Sequence, residues 1–171
     1  MTYCFDSFTL GANLPSNRSS ISHLQNTTMP KQVTNGGRKC ILIVEDSVDF
    51  SNLLTFLVED EGFEGVQFPL EQTDIVSLAK NRKPAAILMD LALRRKSGLE
   101  FIEDLKADPA TKNIPILVIT GRDLNHKEVL GLEFRGVKYL RKGRVEINEI
   151  KHAIVDAARP KKPSAAADKK E

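Results

Sequence analysis

Between Lys39 and Arg159 the chain alternates, five times over, a short apolar or β-branched run with a segment whose apolar residues recur at helical spacing. The runs are Cys40 to Val44, Gly65 to Phe68, Ala85 to Met89, Ile114 to Thr120 and Val137 to Leu140. Leu53, Leu54, Leu57 and Val58 mark the first helical face, Ile75, Leu78 and Ala79 the second, and Leu99, Ile102 and Leu105 the third. The fourth helix is expected within Leu124 to Phe134, and Ile147, Ile150 and Ile154 trace the last before Pro160 stops it. Ser97 with Glu100 three positions later is a capping-box start for the third helix. Successive strands joined through helices run parallel, with helices on both faces of the sheet. With so few strands an open, doubly wound five-stranded α/β sheet is expected before a closed barrel.

Composition adds boundaries rather than function. The chain has 171 residues, enough for one ordinary domain with a real core. No run approaches the roughly 18 apolar residues of a membrane span, and the first residues lack the form of a signal peptide. Cys4 and Cys40 have neither disulfide-framework nor metal-site spacing, and Cys40 reads as a small buried hydrophobe. A cytoplasmic location is therefore expected. Of 25 basic and 23 acidic residues, 18 and 20 fall within 39–159, leaving seven basic and three acidic residues to the flanks. Residues 1–38, rich in Ser, Asn, Thr and Gly, and residues 160–171 are expected to be disordered, with basic character that reads as solubilising. No nucleic-acid or membrane partner is expected from them.

The chemistry gathers where the strands end. The first run ends at Glu45-Asp46, the third at Asp90, the fourth at Thr120, and the fifth leads to Lys142. In an open parallel sheet, ligands bind at this carboxyl edge. Three carboxylates brought together repel one another, and together they suit a hard divalent cation, Mg²⁺ before others. A hydroxyl and an ammonium then complete a pocket for a phosphoryl group, with a carboxylate placed to become an acyl phosphate. Each residue alone has a plainer role, since acids before a helix favour its dipole. Their joint occurrence in order, each at a strand end, carries the signal.

The stretches ILIVEDS, ILMDLALRRKSGLEF, ILVITGRD and VKYLRKG resemble the signature regions of the receiver domain of two-component response regulators. The resemblance covers roughly 39–159 and implies a flavodoxin-like sheet of order 2-1-3-4-5. It further implies that Asp90 is the phosphoacceptor, that Glu45 and Asp46 hold Mg²⁺, and that the backbone carbonyl of Ala92 is a further metal ligand. Thr120 matches the switch hydroxyl, Lys142 the phosphate-binding lysine and Tyr139 the aromatic switch residue.

Three positions depart from the family pattern. Arg94 replaces a usual proline and opens the basic run Arg94-Arg95-Lys96, expected to be a solvated turn. Gly143 follows Lys142 where the family has a cis proline, so a trans peptide and a rearranged loop are expected. Gly121 still leaves room for a phosphoryl group.

The implied function is a stand-alone response regulator that takes a phosphoryl group from a histidine kinase or a histidine phosphotransfer protein. Its output would run through contacts with a downstream protein, because residues 160–171 supply no output domain. The alternative is a degenerate receiver acting as a phosphorylation-independent scaffold. An enzyme is not expected: the related phosphatases carry an Asp where this chain has Ala92, and no GxxxxGK phosphate loop occurs.

Overall fold

The central strands present alternate residues to opposite faces, and both sets are apolar, so this sheet has to be covered twice. The computed structural model, which describes residues 37–72 and 74–159, shows that it is. The elements run β1 (Cys40–Val44), α1 (Val48–Asp60), β2 (Glu64–Gln67), α2 (Ile75–Arg82), β3 (Ala86–Met89), α3 (Gly98–Ala107), β4 (Ile116–Thr120), α4 (His126–Phe134), β5 (Lys138–Arg141) and α5 (Ile147–Ala158). All strand pairs are parallel and the order is β2-β1-β3-β4-β5, the flavodoxin-like arrangement.

On one face Leu42, Val44, Ile87, Met89 and Val118 pack against Ile75, Phe101, Ile102, Leu105 and Leu132 of α2, α3 and α4. On the other, Ile41, Ile43, Leu88, Leu117 and Ile119 pack against Leu54, Leu57, Val58, Ile150 and Ile154 of α1 and α5. Burying one such side chain contributes on the order of 1.5–3 kcal/mol. The central strands β1, β3 and β4 are buried throughout.

Local sequence sets the helix starts. Ser47 accepts from the Phe50 N–H, and Asp74 accepts from the Ser77 N–H. Ser97 with Glu100 and Asn125 with Glu128 form capping boxes at α3 and α4. The expected boundaries shift slightly. β4 begins at Ile116 rather than Ile114, because Pro115 has no N–H to give the ladder, although its carbonyl still accepts from Ile87. α4 starts after its Asn125 cap rather than at Leu124. Cys40 is buried, as expected, with its thiol donating to the Arg82 carbonyl. The segments expected to be disordered lie outside the described residues, except 37 and 38. No helix among the described residues is long and apolar enough to cross a membrane.

Candidate functional site

Two backbone hydrogen bonds carry the ladder one step past the strands and align the site. Asp90 N–H donates to Val44 O at 2.9 Å, and Lys142 N–H donates to Thr120 O at 2.8 Å. Glu45, Asp90 and Thr120 are thereby held at the carboxyl edge with exposures of 7%, 5% and 0%. The Lys142 ammonium sits between two of these groups, 2.7 Å from Glu45 Oε2 and 2.8 Å from Asp90 Oδ2. The other oxygens are also engaged: Asp90 Oδ1 accepts from the Ala92 N–H, and Glu45 Oε1 from the Ser47 N–H.

Burial pushes the Glu45 carboxyl above its usual range, and the hydrogen bonds from Lys142 and Ser47 oppose that push. One oxygen from each of Glu45, Asp46 and Asp90 lies within 4.8 Å of the others. Lys142 pairs with two of the three carboxylates and the exposed Arg94 with the third, so the carboxylates still outnumber the cations at the site. An all-oxygen donor set of this kind suits Mg²⁺. The Ala92 backbone is at the site through its N–H.

Thr120 joins the group through its backbone, and its hydroxyl accepts from the Arg122 N–H at 3.2 Å. Tyr139 stands apart on the edge strand, opposite Val118 and 40% exposed. Around the site, the β4–α4 loop is tied down by ion pairs Arg122–Glu128 and Arg141–Asp123.

The three departures have local explanations. No cis peptide occurs among the described residues, so Lys142–Gly143 is trans as expected. Gly143 has φ +77°, which proline cannot adopt, and Arg144 N–H donates to Arg141 O at 3.1 Å. This is the pattern of a type II turn with glycine at its third position. A Cβ on Gly121 would meet nothing within 4 Å. The basic run is a solvated turn at Arg94 and Arg95, as expected, and only Lys96 is half-buried. Arg94 Nε approaches Asp46 Oδ2 at 3.3 Å, while Lys96 pairs with Asp104 and lies 4.8 Å from the centre of the Phe101 ring.

Two residues at the site have no sequence signal that would have singled them out. The Phe50 ring lies 4.4 Å from the Lys142 ammonium, a cation–π contact that hides one side of the charge. Gly98 N–H donates to Leu91 O, and a Cβ there would collide with the Asp90 carbonyl. Glycine alone lets α3 start this close to the Asp90 turn.

Comparison with known proteins agrees with this geometry. Residues 41–155 match the response regulator receiver domain family. The chain is 33% identical over 105 residues to the phosphate regulon transcriptional regulatory protein PhoB of Escherichia coli K12, covering 60% of this chain and 44% of that protein. It thus spans less than half the length of that relative. Among solved structures, a sensor protein from Polaromonas sp. JS666 superposes with TM-score 0.57 at 26% identity, over 71% of this chain and 96% of that one. The receiver domain of the sensor histidine kinase PA1611 of Pseudomonas aeruginosa PAO1 shares the fold with TM-score 0.59 at 22% identity, over 71% and 98% of the two chains. That structure holds a magnesium ion in its active-site cleft.

Proposed function

We propose that this chain, which belongs to the response regulator receiver domain family, accepts a phosphoryl group on Asp90 from a histidine kinase or a histidine phosphotransfer protein. The partner's phosphohistidine N–P bond breaks as an Asp90 carboxylate oxygen bonds to phosphorus, leaving an acyl phosphate here and an unphosphorylated histidine on the partner. The observation that carries this reading is the Lys142 ammonium within 2.8 Å of buried Asp90. It holds the acceptor carboxylate in place, and afterwards neutralises a phosphoryl oxygen. Thr120 donates its hydroxyl hydrogen to another. Glu45, Asp46, Asp90 and the Ala92 carbonyl would hold Mg²⁺, which supplies further neutralisation of the transferring group; a magnesium ion in the cleft of the PA1611 receiver supports this assignment.

Output runs through contacts with a downstream protein. Leu130 and Phe134 of α4 are 50% and 93% exposed, and Tyr139 on the following strand β5 is 40% exposed, so the segment that carries Tyr139 presents apolar side chains to solvent. A dianionic acyl phosphate that draws Thr120 inward changes what that surface presents.

One observation favours a second reading, a scaffold that is never phosphorylated. Arg94 reaches Asp46 and competes with a cation for its carboxylate. Incubation with acetyl phosphate, with and without Mg²⁺ and read by intact mass, separates the two. A Mg²⁺-dependent gain of one phosphoryl group, absent in Asp90→Asn, is expected. No gain in the folded protein, in Arg94→Ala, or from a cognate kinase would leave the scaffold.

A further inference from the structure

The opposite edge of the sheet concentrates charge of the other sign. A cleft of about 680 Å³ opens there, at the amino ends of β1, β3, β4 and β5. Lys39, Lys83, Lys112, Lys138 and Arg159 line it, together with Lys106 and Arg135, and among the described residues Asp156 is the one acidic side chain that does. Residues 39–159 hold 18 basic and 20 acidic side chains, so chance would place both signs there about equally. The fold has instead gathered seven of the 18 basic side chains at this cleft.

Compensation of helix dipoles explains only part of this. The carboxyl ends of α2, α3, α4 and α5 face this edge, and cations favour such ends. Arg135 plays that part, donating to the Gly131 carbonyl of α4 at 2.8 Å while pairing with Glu103. Lys39, Lys112 and Lys138 belong to no helix. Lys106 donates to the carbonyls of Lys112 and Ile114 at 2.9 and 3.1 Å. Burial lowers its pKa, the mark of an ammonium short of solvation and counter-charge.

The wall is also fixed in place. Buried Thr111 donates its hydroxyl to Leu105 O at 2.8 Å, and Lys112 N–H donates to Asp108 O at 2.8 Å. These bonds hold the loop that carries Lys112 and Asn113, so a ligand would meet a preformed site.

We propose that this cleft binds an oligophosphate anion, whether inorganic or the phosphate chain of a nucleotide. Its volume falls within the roughly 300–1,000 Å³ of small-molecule sites. Lysine predominates among its cations, and lysine serves phosphate as a compact point charge. Ile114, Pro115 and Ala157 give it an apolar side, and no aromatic lines it among the described residues, so it lacks the stacking platform of a single-strand nucleic-acid groove. Strands of four or five residues separate it from Asp90 by roughly 15 Å, so it is independent of the phosphoryl site.

The test is titration of the full chain, without Mg²⁺ and at about 150 mM salt to suppress loose surface binding. Inorganic tripolyphosphate and adenosine triphosphate are the probes, followed by calorimetry and by backbone amide shifts. Saturable binding of one anion per chain is expected, with shifts at Lys112 to Ile116 and Gly136 to Lys138. Lys112→Glu with Lys138→Glu should weaken it at least about tenfold, since two cations become anions at the ligand. Asp90→Asn should leave it unchanged, and the double variant should still accept phosphate from acetyl phosphate, which separates failure here from failure of the Asp90 reading. Tighter binding of the nucleotide would identify a nucleotide ligand, and equal binding a site that reads the phosphate chain alone. The proposal is overturned by no saturable binding of either probe, by binding the double variant retains in full, by shifts confined to the Thr120 and Lys142 edge, or by duplex DNA occupying this face where tripolyphosphate does not.

Discussion

Asp90 depends on a residue with no side chain at all. Gly98 sits where a Cβ would collide with the Asp90 carbonyl oxygen and come within 2.8 Å of Leu91 Cα. Both are backbone atoms of the turn that aims the acceptor, so neither can swing aside. Gly98→Ala is therefore expected to destabilise the fold by about 2 kcal/mol or more, the scale of overpacking against unyielding atoms. Chemical denaturation would show it as a lowered midpoint, and a midpoint equal to wild type would mean the turn relaxes freely. Lys106 makes a second residue-level prediction, with a definite sign. Its folded pKa lies below the usual 10.5 because of burial. The unfolded chain then binds that proton more tightly, so stability rises with pH through the window just below 10.5. Lys106→Met removes the contribution. Denaturation midpoints at mildly and strongly alkaline pH should show wild type gaining on the variant as pH rises.

Among the helices, α4 is the least anchored. It buries only Leu132, whereas α3 buries Gly98, Phe101, Ile102 and Leu105 and α1 buries four residues of its own. Its capping box fixes where it starts but adds little hold on the sheet. Native-state hydrogen exchange should therefore find the amides of α4 opening at lower free energy than those of α1 and α3. Equal protection across the three helices would remove α4 as the element that responds to Asp90. The weak anchoring also explains why this helix was the hardest to delimit in sequence. A helix with one buried residue has little apolar period to read, while the strongly periodic third and fifth helices stood out.

At the scale of the whole molecule, the doubly wound sheet separates two edges, a carboxylate cluster with its paired cations at the carboxyl ends of its strands and a basic cleft at the amino ends. The acidic edge was legible in sequence because each of its residues directly follows an apolar run: Glu45 and Asp46 after Cys40 to Val44, Asp90 after Ala85 to Met89, and Thr120 at the end of its own strand. A strand's end is a local property, and the parallel topology carries all such ends to one side. The alternation of strands and helices, the capped start of the third helix and the acidic strand ends were thus legible in periodicity and capping, while the strand order and Asp90 as acceptor were implied by the family resemblance. What surrounds them was not. Phe50 over Lys142, Arg94 against Asp46, and the collision that reserves position 98 for glycine arise from contacts between segments distant in sequence or from backbone approach. The basic cleft shows this most clearly. Its cations are scattered from Lys39 to Arg159 with no shared spacing, and only the folding of several connections onto one edge makes them neighbours. Electrostatic fields sum over positions in space, so a chain of near-neutral composition gathers a carboxylate cluster at one edge of its sheet and a basic cleft at the other.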